Sequence, residues 1–259
     1  MLRKLLLCLG LAFCGTLHAA ATTNFSDQWW APSESGWGAS VMQQNDVLFV
    51  DLFIYGADTK PTWYTASIFQ QSSASGHIVF TGDLYATSGP WFGGPFNPAS
   101  VATRKVGTLT FDADSSDTAT LSYSVDGVLV AKRVTRQPWA YENFTGNYYG
   151  GAVYDVSQCI NPAGNGHQED LGAISITHTG NSTFAMTTQS ATAACNWNGV
   201  YAQAGHMGNV VGTFACNNGV SGNFSAFELE KSISGFTGRF VASDNLGCLL
   251  DGRVGGVQR

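Results

Sequence analysis

Charge is scarce in this sequence, with Asp, Glu, Lys and Arg together making up only 12% of 259 residues. There is no basic cluster, so the sequence lacks the main source of nucleic-acid affinity, which is neutralisation of phosphates by Lys and Arg. An anionic membrane surface is disfavoured for the same reason. No segment carries apolar residues at helical spacing for long enough to form a substantial helix. After Leu17 no apolar run approaches the roughly 20 residues of a membrane-spanning helix, so no transmembrane segment is expected. Also missing are a G-x-S-x-G elbow, a Walker A loop, an H-E-x-x-H helix motif and a Rossmann fingerprint. Close pairs of the C-x-x-C type are absent too, and the histidines His77, His167, His178 and His206 have no ligand spacing, so neither a metal nor a cofactor is expected.

The N-terminus is informative. "MLRKLLLCLGLAFCGTLHAAATT" places Arg3 and Lys4 before an apolar run from Leu5 to about Leu17, followed by Ala19, Ala20 and Ala21. This is the layout of a secretory signal peptide over residues 1–21, and it predicts an exported protein, periplasmic or extracellular. A lipid anchor on Cys14 is disfavoured by the bulky Phe13 before it. Without Arg3 and Lys4, ten basic residues face eighteen acidic ones, a formal charge of −8.

Removing the signal also removes Cys8 and Cys14, leaving Cys159, Cys195, Cys216 and Cys248, all in the second half. In an oxidising compartment these read first as disulfides, and four cysteines allow three pairings.

Between them the two halves read as a succession of short strands. "GWGASVMQQ", "VLFVDLFIY", "PTWYTASIF", "HIVFTGDLY", "KVGTLTF", "TATLSYSV" and "VLVAKRVT" are seven candidates in the first half, the last two joined by Asp126-Gly127. A two-residue Asp-Gly connection between alternating segments is a strong hairpin signal. After "RQPWAYEN" a second series begins, marked by an apolar-x-Gly-x-aromatic repeat: "FTGNY", "VVGTF", "VSGNF" and "FTGRF". Glycine recurring at one place in successive strands suggests a sheet that bends at each and curls toward closure. The expected architecture is all-β, with two antiparallel barrel-like meanders over residues 24–139 and 143–259. Cys195 and Cys216 fall on neighbouring strands, while Cys159 follows the first strand of the second module and Cys248 opens its last. Closure would make those two strands adjacent, which predicts Cys195–Cys216 and Cys159–Cys248.

Three places could carry function. Glycoside hydrolysis needs two carboxylates, and Glu34 and Asp51 are the obvious pair. A hairpin centred near Gln44 and Asn45 sets Asp51 opposite a residue between Trp37 and Ala39, leaving Glu34 three to five residues further along. At about 3.3 Å per residue the gap is roughly 10 to 17 Å, beyond the approximately 5 to 9.5 Å such enzymes use. Glu34 is expected instead to hold the start of the strand, through backbone N–H groups or Lys60. His167, in the Gly-rich "GNGHQEDLG", combines a His with acids and reads as a solvated loop. A hydrolase of an envelope or extracellular polymer using Glu34, Asp51 or His167 is the competing enzymatic reading.

The second place is the face of "VLFVDLFIY" that carries Val47, Phe49, Asp51, Phe53 and Tyr55, opposite the aliphatic Leu48, Val50, Leu52 and Ile54. The aliphatic side is the natural core. The aromatic side is either a binding surface, with Asp51, Tyr55 and the nearby Trp63 in it, or a second buried side. Most aromatic stripes are packing, which favours burial. The third is the long connection over residues 86–104, with Trp91, Phe92 and Phe96 among Gly and Pro. Long ordered loops are usually functional, and exposed aromatics bind sugars or peptides through their faces. The alternative is a flap that plugs one barrel end.

Two segments show a resemblance. "WWAPSESGWGASVMQQNDVLFVDLFIYGADTKPTWY" and "GDLYATSGPWFGGPFNPASV" resemble uncharacterised exported bacterial β-domain proteins that carry a W-x-x-P-x-E-S-G-W-G segment followed by Y-x-x-x-x-K/R-P-x-W. The resemblance implies a bacterial, exported β-domain and transfers no activity. Within it Trp30, Pro32, Glu34, Ser35, Gly36, Trp37 and Gly38 read as a folding motif, the Gly36-Trp37-Gly38 step letting an indole enter the core. The second half loosely resembles small up-and-down barrels of the avidin or lipocalin type. The leading expectation is a non-enzymatic exported protein that binds a glycan, a peptide or another exported protein, possible roles including structural or inhibitory partner.

Overall fold

The computed structural model describes residues 23–72, 77–180 and 182–259, and residues 1–21, expected to be a signal peptide, lie outside them. Sixteen strands form two closed, eight-stranded up-and-down barrels. The first barrel contains β1 (Asp27–Trp30), β2 (Gly38–Gln44), β3 (Val47–Tyr55), β4 (Pro61–Gln71), β5 (Ile78–Ser88), β6 (Ala102–Ala113), β7 (Thr118–Val125) and β8 (Val128–Arg136). The second contains β9 (Gly146–Ser157), β10 (Gly166–Thr179), β11 (Thr183–Ser190), β12 (Ala194–Ala204), β13 (Met207–Cys216), β14 (Ser221–Ser232), β15 (Gly235–Asp244) and β16 (Leu249–Gln258).

The first barrel closes on a short seam, Trp29 opposite Arg136 and Trp30 opposite Thr135. The second closes on a long one, from Leu249 opposite Ser157 to Gln258 opposite Tyr148. Both expected disulfides are present, Cys195–Cys216 between registered partners on β12 and β13, and Cys159–Cys248 just beyond the end of the long seam. The Asp126-Gly127 hairpin has φ of 48° and 87°, the left-handed pair that a tight two-residue turn needs. The recurrent strand glycines mark close approaches. A Cβ on Gly212 would stand 2.0 Å from the Asn198 carbonyl oxygen, and one on Gly222 1.9 Å from that of Ser243.

One strand, β1, is not among the seven expected. It is four residues long and ends on the two tryptophans of "WWAPSESGWG", so there are eight strands in this half rather than seven. Trp29 is fully buried in the core, its Nε1 donating to the Phe25 carbonyl at 2.9 Å, whereas the neighbouring Trp30 is half-buried. Pro32 then stands exposed just past β1, and Gly36 adopts φ +119°, a conformation that disfavours any side chain. Trp37 packs only partly against the core rather than entering it. Glu34 does not pair with Lys60. Closure brings β8 beside β1, and Lys132 donates to both Glu34 oxygens at 2.8 Å, while Trp37 Nε1 donates to Oε2 at 3.1 Å. Lys60 sits instead 3.6 Å from Asp58 in its own turn.

The barrels meet through a polar junction built around a buried Arg136–Asp27 pair. Arg136, its side chain fully buried, donates to the carbonyls of Ser116 (2.7 Å) and Asn24 (2.6 Å) and to Asp27 Oδ2 (3.2 Å), with its guanidinium 4.9 Å from the Trp29 ring centroid. From the second barrel, His206 donates to the same Asp27 oxygen through its backbone N–H (3.1 Å) and Nδ1 (2.7 Å), and its Nε2 lies 3.4 Å from Glu230. Asn209 donates to Asp117 at 2.5 Å, and Thr23 donates to Glu228 at 2.6 Å. Hydrogen bonds to Asp27 and Glu230 hold the His206 imidazolium up to about pH 9. Burial works to raise the Asp27 carboxyl, but the His206 bonds prevail and hold it below its ordinary range.

A candidate ligand cavity in the second barrel

The two barrels have the same strand number but different interiors. An eight-stranded barrel is just wide enough to be filled by its own side chains or to hold one small ligand. The first is filled: Leu48, Leu52, Phe80 and Phe111 are all 0% exposed. In the second, inward positions are occupied by Gly150, Ala152, Gly172 and Ala226, and the space they leave is a cavity of about 510 Å³. Its walls keep contact with that space, Phe214, Phe224 and Phe240 being 5%, 5% and 7% exposed. Ligand pockets commonly measure about 300 to 1,000 Å³.

One end of this barrel is shut by rings. Tyr148 meets Phe236 edge-on at 4.9 Å, His178 meets Tyr201 at 4.3 Å, and the Tyr148 hydroxyl donates to the Phe144 carbonyl at 2.7 Å. Burial pushes the His178 imidazole below its ordinary range. The turn after β12, with Gly205 and His206, belongs to this end, so the shut end is the one that meets the first barrel. At the opposite end the turns after β9, β11, β13 and β15 form a rim, and Cys195, Cys216 and Cys248 of the two disulfides line the cavity there.

The walls are mainly aromatic. Trp197 stacks on Phe214 with centroids 4.5 Å apart and planes at 21°, and meets Phe224 edge-on at 5.3 Å. Its Nε1 donates to Thr188 Oγ1 at 3.1 Å, which fixes the indole plane. Tyr154 meets Phe240 at 5.9 Å and donates to Asp170 Oδ2 at 3.0 Å. Thr192 donates to Asp170 Oδ1, also at 3.0 Å. Burial, with Asp170 adding to it, pushes the Tyr154 phenol up to about 12. Such a site can enclose an apolar body and offer it one oriented carboxylate.

The ligand-binding and catalytic candidates singled out from sequence lie elsewhere. The connection between β5 and β6 is ordered by a 3-10 turn at Pro98–Ser100, where Asn97 accepts from the Ala99 N–H at 3.1 Å. It does not tuck its rings away: Trp91 is 71% exposed, Phe92 94%, and Phe96 is exposed as well. The aromatic side of β3 is not a second buried layer. Leu48, Val50 and Leu52 enter the core, while Phe49, Phe53 and Tyr55 face outward, with Phe53 opposite an exposed Trp63 on β4. A closed single-layer barrel has only one inside, so the other face meets solvent. Asp51 is half-buried there, and burial raises its carboxyl. Its partner on β2 is Ser40 rather than a residue between Trp37 and Ala39, because the hairpin turns at Asn45-Asp46. His167 is on β10 rather than in a loop, exposed, 2.8 Å from Asp155 and 3.7 Å from Glu169. Asp155 first, and Glu169 after it, raises the imidazole above its ordinary range. Glu34, Asp51 and His167 therefore form no common site, His167 standing in the other barrel.

Of the cavity walls, Phe214, Phe224, Phe236 and Phe240 belong to the apolar-x-Gly-x-aromatic repeat, yet the repeat alone shows no void between them; one further signal is Asp170. On β10 the inward row reads Asp170, Gly172, Ile174, Ile176, His178, and a carboxylate at the head of an apolar inward row marks a polar group facing an interior. Among the described residues no group of three or more His, Cys, Asp and Glu side chains is arranged to hold a metal ion. No family model and no curated protein matches the chain.

Proposed function

We propose that this is an exported, non-enzymatic binding protein that takes a small, largely apolar molecule into its second barrel. The observation that carries the reading is the cavity of about 510 Å³ inside a barrel shut by rings at one end and rimmed by two disulfides at the other. Export is supported by the signal-like leader and by disulfides, which persist in oxidising compartments. Binding a neutral, polarity-sensitive naphthalene dye tests it. The wild type should saturate at one dye per chain, and Ala152→Phe, which fills the cavity, should abolish saturation while keeping its circular dichroism spectrum. Equal dye binding by a folded Ala152→Phe would refute the assignment.

A second surface favours a second reading, a glycan or peptide site on the first barrel. Its support is the solvent-facing Phe53, Tyr55 and Trp63 together with the exposed Trp91, Phe92 and Phe96. Flat rings of this kind suit the faces of sugars and the side chains of extended peptides. In a glycan and envelope-fraction screen, Trp63→Ala and Trp91→Ala should each lose a signal given by the wild type, and unchanged signals would remove this reading. Another exported protein as partner would show in a pull-down from envelope extract. Hydrolysis has weaker support, since Glu34 is held by Lys132 and Trp37, and His167 belongs to the other barrel.

A further inference from the structure

We infer that the cavity of the second barrel selects an organic cation, a protonated or quaternary amine on a compact apolar body, and rejects carboxylates such as fatty acids. The inference rests on the cavity reading above and adds the sign of charge. Two carboxylates, Asp170 and Asp244, line the space, and no Lys, Arg or His does so among the described residues. The two differ in what they already hold. Asp244 Oδ1 accepts the backbone N–H groups of Leu246 and Cys248, both at 2.9 Å, so it serves the rim turn. Asp170 accepts two neutral hydroxyls, from Tyr154 and Thr192. These orient its carboxylate without supplying a counter-charge.

The walls favour the same sign. Ring faces carry the negative lobe of the aromatic quadrupole, and a cation near them is attracted, most strongly by Trp and more so where water is excluded. Trp197, Phe214, Phe224, Tyr154 and Phe240 surround the space, and Trp197 is held in plane by its bond to Thr188. An anion entering would lose part of its hydration and meet the Asp170 carboxylate with no basic group to receive it, which disfavours it. A neutral molecule would gain the apolar contact alone. A cation would gain that contact, the ring faces and the Asp170 carboxylate.

A matched series tests this: 3-phenylpropylamine, 3-phenylpropan-1-ol and 3-phenylpropanoate, titrated calorimetrically at pH 7 and low salt. The amine should bind on the order of tenfold more tightly than the alcohol, a gap of about 1.4 kcal/mol, and the carboxylate should not bind measurably. Asp170→Asn keeps the shape and one of the two acceptor oxygens. It should bring the amine to within about threefold of the alcohol, while an unchanged circular dichroism spectrum and retained dye binding report that the variant is folded. Alcohol and amine binding equally, carboxylate binding as well as either, or an amine preference surviving Asp170→Asn would each overturn the inference. If the naphthalene dye binds and the amine shows no preference, the charge selection alone falls. If neither the dye nor any member of the series binds, the cavity reading falls with it.

Discussion

The two disulfides stand at the same rim yet close very different loops, which allows their contributions to be separated. Cys159 and Cys248 are 89 positions apart, Cys195 and Cys216 only 21. With the loop-entropy relation, the long loop is worth about 4.6 kcal/mol and the short one about 3.4 kcal/mol. Removing the first, as Cys159→Ser/Cys248→Ser, should therefore cost about 1.2 kcal/mol more than removing the second. The position of each bond reinforces the order. Cys195 and Cys216 are already opposite each other in a hairpin, whereas Cys159–Cys248 ties together the first and last strands at the end of their seam. Since domains are commonly stable by only about 5 to 15 kcal/mol, either loss is large. Urea titration read by hydrogen exchange in β10 to β15 peptides would measure both variants. Equal costs, or a greater cost for the short loop, would refute the entropic argument, as would equal destabilisation of first-barrel peptides.

The junction supplies further expectations. Replacing Arg136 with Met leaves Asp27 and the Asn24 and Ser116 carbonyls without their buried donor, and breaking such a group should cost roughly 3 to 5 kcal/mol in thermal or chemical unfolding; a loss within experimental error would show that the junction contributes little. His206 titrates higher folded, at about 9, than the ordinary imidazole near 6.5. Its contribution should thus be fully present below about pH 6.5 and disappear as pH rises through about 9, so the melting temperature should fall over that window in the wild type but not in His206→Gln, and parallel profiles would contradict the assignment. On the acid side Asp27 and Glu230 are held low, so the stability they lend should be lost as pH falls through their folded values. The melting curves below pH 4 should show that loss in the wild type and less of it in His206→Gln.

What could be read from sequence follows from which forces are local. Period-two alternation placed Leu48, Val50 and Leu52 inside, and the positions of Cys159 and Cys248 beside the first and last strands of a closing meander predicted their bond. Asp27–Trp30 is not legible as a strand because four residues ending in two tryptophans show no alternation. Glu34 finds Lys132 across 98 positions, a pairing that only closure of β1 on β8 creates. The exposure of the Phe49–Tyr55 face is not legible because both faces of β3 are rich in large apolar residues, and which one meets solvent depends on whether a second layer exists. The cavity is not legible for a related reason. Small inward residues such as Ala152 and Ala226 leave a void only if the rings opposite cannot reach across, and that depends on barrel geometry.

A ligand held inside the second barrel would be seen in a crystal structure with a bromonaphthalene probe, its bromine located by anomalous scattering. A single site between Trp197 and Phe240, below the disulfide rim, is expected. Bromine found only on the outer face of the first barrel, near Phe53 and Trp63, with the second barrel empty, would contradict it.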